Sequence, residues 1–175
     1  MNKLDRSSGM NLQKKKTLYI DTKPLSNLMN YCLEGKFVDS DQQVLESVYE
    51  KLKCVITSGK YDLTTTEAVI TEALYFLTKE KKDKIKTRRN ALVWASSVNL
   101  KITCCGPDCL DKKEYVRDLS YPDVSLIRCE LSALSKTLPA IIISTDQNLI
   151  DTAVDSKHGG VAYNLYALLQ HPNFI

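Results

Sequence analysis

The chain alternates short, uniformly apolar runs with longer stretches in which apolar residues recur at three- and four-residue spacing. Leu18-Tyr19-Ile20 and Ile141-Ile142-Ile143 are runs of the first kind and predict buried strands, about Thr17 to Asp21 and Ala140 to Ser144. Leu25, Leu28, Met29, Cys32 and Leu33 are spaced as one face of a helix, with Pro24 in its opening turn and Gly35 closing it. Val44, Leu45, Val48, Leu52, Val55 and Ile56 repeat the pattern in a second helix. Ser40 and Gln43 stand as its capping box, and Gly59 ends it.

Tyr61 to Thr64 predicts a short strand, and Thr64 to Thr66 offer caps for a third helix reaching about Lys79. Ala68, Val69, Ile70, Ala73, Leu74, Phe76 and Leu77 make that helix apolar on most sides, which predicts burial in the core. A fourth helix is expected over Thr87 to Val98, carrying Leu92, Trp94 and Val98, with a strand at Leu100 to Thr103. Further helices are expected at Asp111 to Leu119, from Pro122 onward with Val124, Ile127, Leu131 and Leu134 on one face, and at Gln147 to Val154. Val161 to Leu165 predicts a last strand, with a short helix before Pro172. Strands alternating with helices predict an α/β fold: a three-layer α/β/α sandwich around a mainly parallel sheet.

Composition narrows the class. A length of 175 residues suits one domain with a real core, over 17–175, preceded by a basic flexible tail at 1–16 that ends in Lys14-Lys15-Lys16. That tail has no hydrophobic stretch of the secretory kind, and no apolar run approaches bilayer length, so a cytoplasmic protein that does not enter a membrane is expected. The six cysteines therefore read as thiols rather than a disulfide framework. Cys32, Cys54 and Cys129 fall on expected apolar helix faces. Cys104, Cys105 and Cys109 lack the second ligand pair of a zinc site, with His158 and His171 far off in sequence.

Three acids stand where an apolar run yields to a polar turn: Asp21, Asp123 and Asp146. In an open α/β sheet, ligands bind outside the carboxyl ends of the strands, so acids gathered there suggest a site for a hard cation. Each could instead simply cap the helix that follows. Glu72 differs, because it lies within an apolar helix, where an ionised carboxylate needs a cation or hydrogen-bond donors. Glu67 fits a capping box with Thr64 and is assigned a structural role.

Taken in order, Leu18-Tyr19-Ile20-Asp21-Thr22, Thr65-Thr66-Glu67-Ala68-Val69-Ile70-Thr71-Glu72, Asp123-Val124-Ser125-Leu126 and Ile142-Ile143-Ser144-Thr145-Asp146 resemble the motifs of PIN domains over Thr17 to Leu165. The resemblance implies a metal-dependent endoribonuclease that hydrolyses RNA to a 5′-phosphate using Mg²⁺ or Mn²⁺. Asp21, Glu72, Asp123 and Asp146 match the family's metal-binding and catalytic acids, with Ser144 and Thr22 as accessory hydroxyls. It also implies a candidate role as the toxin of a toxin–antitoxin pair, with an antitoxin protein and a homodimer as partners. The chain departs from the family at Lys23, where many members carry a small polar residue, and in its extra sequence around Cys104 to Leu119.

Lys79, Lys81, Lys82, Lys84, Lys86, Arg88 and Arg89 outnumber Glu80 and Asp83 in one segment. It reads either as a solvated helix junction or as a guide for RNA phosphates at the rim of the site. A catalytically inactive PIN-like module that binds nucleic acid or protein is the competing function. A haloacid-dehalogenase-type phosphatase is excluded because Lys23 stands where its second Asp is needed. A Rossmann dinucleotide site is disfavoured because no G-x-G-x-x-G follows the first strand.

Overall fold

A computed structural model of the chain describes residues 15–36, 42–103, 140–147, 149–151 and 161–170. Five strands, β1 (Lys16–Ile20), β2 (Tyr61–Thr66), β3 (Lys101–Thr103), β4 (Ala140–Ser144) and β5 (Val161–Asn164), form one sheet in the order β3-β2-β1-β4-β5. Every pairing is parallel. With its helices the sheet makes the expected three-layer α/β/α architecture. Leu18, Tyr19 and Ile20 are consecutive and all fully buried, so both faces of the central strand are covered.

The helices are α1 (Thr22–Glu34), α2 (Gln42–Thr57), α3 (Glu67–Thr78) and α4 (Lys84–Ser97), and a 3-10 helix (Leu165–Gln170) follows β5. α1 packs on α3 and α4, while α2 packs on the 3-10 helix and β2. Tyr31 of α1 also donates a short hydrogen bond to Glu50 of α2. Gly35 closes α1 with φ 64°, the left-handed conformation in which a Cβ is strained, and its N–H caps the Tyr31 carbonyl. The core joins Leu18, Tyr19 and Ile20 to Leu25, Leu28 and Met29 of α1, Val48, Tyr49 and Leu52 of α2, and Ile142 and Ile143 of β4.

Several expectations are corrected. Lys16 belongs to β1, where it pairs in register with Tyr61, rather than to a tail. β2 runs two residues further than expected, and Thr66 rather than Thr64 caps α3, its hydroxyl accepting from Val69 N–H at 3.2 Å. The Thr64 hydroxyl instead donates to the Lys101 carbonyl, so no Thr64–Glu67 capping box forms.

α3 is buried on one side only. Ala68 is exposed, and Tyr75 and Phe76 are 55% and 44% exposed. The sequence pattern failed here because Val69, Ile70, Ala73 and Leu77 alone make a full buried stripe, leaving the remaining apolar residues to face outward. Cys54 and Leu92 are likewise exposed, whereas Cys32 is half-buried as expected. α4 begins at Lys84, three residues earlier than expected, because the Asp83 carboxylate accepts from Lys86 N–H and caps it there.

Val44 and Leu45, Cys104, Cys105, Cys109, Asp123, Cys129, both histidines, the Ser40 cap, the tail at 1–14 and the helices expected from Asp111 and Pro122 lie outside the described residues and side chains. Among the described residues, no helix is long and apolar enough to cross a membrane.

Candidate functional site

The strand order creates the crevice. From β1 the chain builds outward through β2 to β3, then returns to place β4 on the other side of β1, with β5 beyond it. The connections leaving β1 and β4 therefore part in opposite directions. The carboxyl ends of those two neighbours flank an opening of the kind in which α/β proteins bind ligands. Tyr19 pairs with Ile142 and Ile20 with Ile143, so the register brings Asp21 level with Ser144.

Asp21 is the N-cap of α1 and half-buried. One carboxylate oxygen accepts from Thr22 N–H at 2.7 Å, and the other accepts from the Ser144 hydroxyl at 2.6 Å. The fully buried Ser144 hydroxyl also accepts from Asp146 N–H at 2.9 Å, so one side chain ties the β4 turn to Asp21. Asp146 is exposed, and its carboxylate meets Leu149 N–H at 3.5 Å, at the long limit for a cap. Thr22 reaches the other way, its hydroxyl donating to Glu72 at 2.8 Å.

Three of the four expected acids thus converge on one crevice. Thr22 links Asp21 to Glu72, and Ser144 links Asp21 to Asp146. Glu72 is nevertheless exposed, so the burial argument that first singled it out does not hold. It reaches the site because α3 follows β2 at the same edge of the sheet and packs against α1. Asp123, the fourth acid, lies outside the described residues. The capping reading of Asp21 also holds, since one carboxylate serves the helix and faces the crevice together.

Burial raises the Asp21 pKa above its ordinary 3.8. The hydrogen bonds from Ser144 and Thr22 pull it down, and the charges of Asp146 and Glu72 push it further up. Neighbouring negative charge thus weighs on Asp21, and a cation would relieve it. Among the described residues, however, no group of three or more His, Cys, Asp or Glu side chains lies close enough together to hold a metal ion. The donor set still fits Mg²⁺ or Mn²⁺ in kind, being all oxygen. Mg²⁺ commonly takes one or two carboxylates directly and keeps several waters.

The basic segment begins at the C-terminal end of α3, the helix that carries Glu72. Lys81 pairs with Glu34, the last residue of α1, and that helix spans 13 residues from its start beside Asp21. At about 1.5 Å per residue, the pair lies roughly 20 Å from Asp21, whereas Lys79 follows Glu72 by seven residues, roughly 10 Å along α3. Lys79, Lys82, Lys84, Lys86, Arg88 and Arg89 are exposed.

Thr65 is the residue that the sequence pattern missed. Fully buried in β2, its hydroxyl donates to the Ile20 carbonyl at 3.0 Å, next to Asp21. The run Thr64-Thr65-Thr66 at a strand end was the available signal, but it read only as a choice of caps. In comparisons with protein-family models, curated proteins and solved structures, nothing matches the chain.

Proposed function

We propose that the chain is a metal-dependent endoribonuclease of the PIN kind. The observation that carries this reading is the convergence of Asp21, Glu72 and Asp146 where β1 and β4 end side by side, with Ser144 and Thr22 bridging them. Asp21 would be the principal ligand of an Mg²⁺ or Mn²⁺ ion. Glu72 and Asp146 would act directly or through water, and Asp123 is the fourth acid of the set. A bound divalent ion polarises a phosphodiester oxygen and lowers the pKa of coordinated water.

The chain's own residues hold the acids in place for this chemistry. Ser144 keeps one Asp21 oxygen turned toward β4, and Thr22 restrains Glu72. Among the described residues, each Asp21 oxygen accepts one hydrogen bond, and a carboxylate oxygen has a second lone pair that a ligand can use. Asp146, which is exposed, would orient an attacking water. The basic segment would guide RNA through its phosphates. A toxin role, with an antitoxin and a homodimeric state, belongs to this same reading.

The rival is a PIN-like binding module that does not cleave. In its favour, no metal-holding group of three acids occurs among the described residues. RNA cleavage assays separate the two. The wild type is expected to cleave single-stranded RNA with Mn²⁺ or Mg²⁺ and to stop with EDTA, and Asp21→Asn is expected to lose at least two orders of magnitude in rate. Metal-independent cleavage, or an Asp21→Asn variant as active as wild type, would remove the proposed mechanism. A folded wild type that binds RNA without cutting it would favour the binding module.

A further inference from the structure

The peptide unit joining Ile20 to Asp21 is held from both sides. Its N–H donates to the Ile143 carbonyl of β4 at 3.0 Å, an extension of the strand ladder. Its carbonyl lies beyond the last ladder pair of β1 with β2, Tyr19 with Thr64. There it accepts from the Thr65 hydroxyl at 3.0 Å, with Thr65 fully buried. A side chain thus takes over where the backbone pairing stops.

A carboxylate on a strand end keeps its direction only if the peptide carrying it cannot rock. Rotation of the Ile20–Asp21 unit would swing the Asp21 Cα–Cβ bond and part its oxygens from Ser144 and Thr22. We infer that Thr65 is a positioning residue for Asp21, acting through the Ile20 carbonyl to aim the carboxylate into the crevice between β1 and β4. The inference rests on the proposed metal site for its importance, but the geometry it invokes is present without metal.

Groups that orient a metal ligand from behind typically matter about 10- to 100-fold in metal affinity or activity. Thr65→Val keeps the side chain's shape and removes the donor, and Thr65→Ser keeps the donor. Two measurements on folded, full-length protein test the role. The first is amide hydrogen exchange of the Asp21 N–H by NMR without divalent ions, which reports its bond to the Ile143 carbonyl, and the second is Mn²⁺ affinity by calorimetry.

In Thr65→Val, the Asp21 N–H is expected to exchange about tenfold faster as the Ile20–Asp21 peptide loosens, and Mn²⁺ affinity to fall about tenfold. Thr65→Ser is expected to restore both. A Thr65→Val protein with unchanged Asp21 exchange, or a Thr65→Ser protein as impaired as Thr65→Val, would overturn the assignment. If wild type binds no Mn²⁺, the metal site falls, while exchange of the Asp21 N–H still decides the role of Thr65.

Discussion

Asp21 has two duties that pull against each other. As a cap it accepts from Thr22 N–H, which favours the ionised form. Its burial and the charges of Asp146 and Glu72 favour the protonated form and prevail. The folded chain thus holds this proton more tightly than the unfolded chain does. Its contribution to stability is complete below the ordinary pKa of 3.8 and is lost as pH rises through the elevated folded value. Asp21→Asn cannot ionise, so without divalent ions it is expected to melt above wild type at neutral pH, with the gap closing below that value. Scanning calorimetry across pH checks this, and a variant melting lower at neutral pH would contradict it. Saturating Mn²⁺ is expected to raise the melting temperature of wild type and not of Asp21→Asn. At this scale the sequence was partly legible. An acid at the end of an apolar run identifies Asp21 and Asp146. A buried hydroxyl such as that of Thr65 finds its partner 45 positions away and leaves no periodic trace.

Among the elements, β1 and β4 were legible because three successive apolar residues bounded by polar ones have few other uses. α1 was legible for similar reasons, with Pro24 and Gly35 marking its ends. The start of α3 was not, because Thr64, Thr65 and Thr66 are equally good caps on paper. Only the sheet register decides among them, since Thr64 and Thr65 are committed to neighbouring strands. Thr66→Ala is therefore expected to cost about 1 kcal/mol in denaturant unfolding as the cap disappears. A cost near zero would mean that the Val69 N–H is satisfied another way. Because α3 carries Glu72, fraying of its first turn should also weaken any metal binding that depends on that acid.

For the molecule as a whole, strand order was the part that local pattern could not supply. Alternation implied a parallel sheet, but only the return of the chain across β1 sets Asp21 beside Ser144. The same layout carries Lys81 to Glu34, at the end of α1 far from Asp21. Replacing Lys84, Lys86, Arg88 and Arg89 with Gln is accordingly expected to reduce the salt dependence of RNA binding, by about 0.7 in slope for each phosphate no longer neutralised, with cleavage of saturating RNA unchanged. An unaltered slope would make the segment a solvated surface. The central claim, that acids from separate strands and helices share one divalent ion, is tested most directly by the anomalous difference map of a Mn²⁺-soaked crystal. A peak within coordination distance of Asp21, with Glu72 and Asp146 facing it directly or across water, is the predicted result. No peak at Asp21 in a fully soaked crystal, or manganese bound only elsewhere, would contradict it.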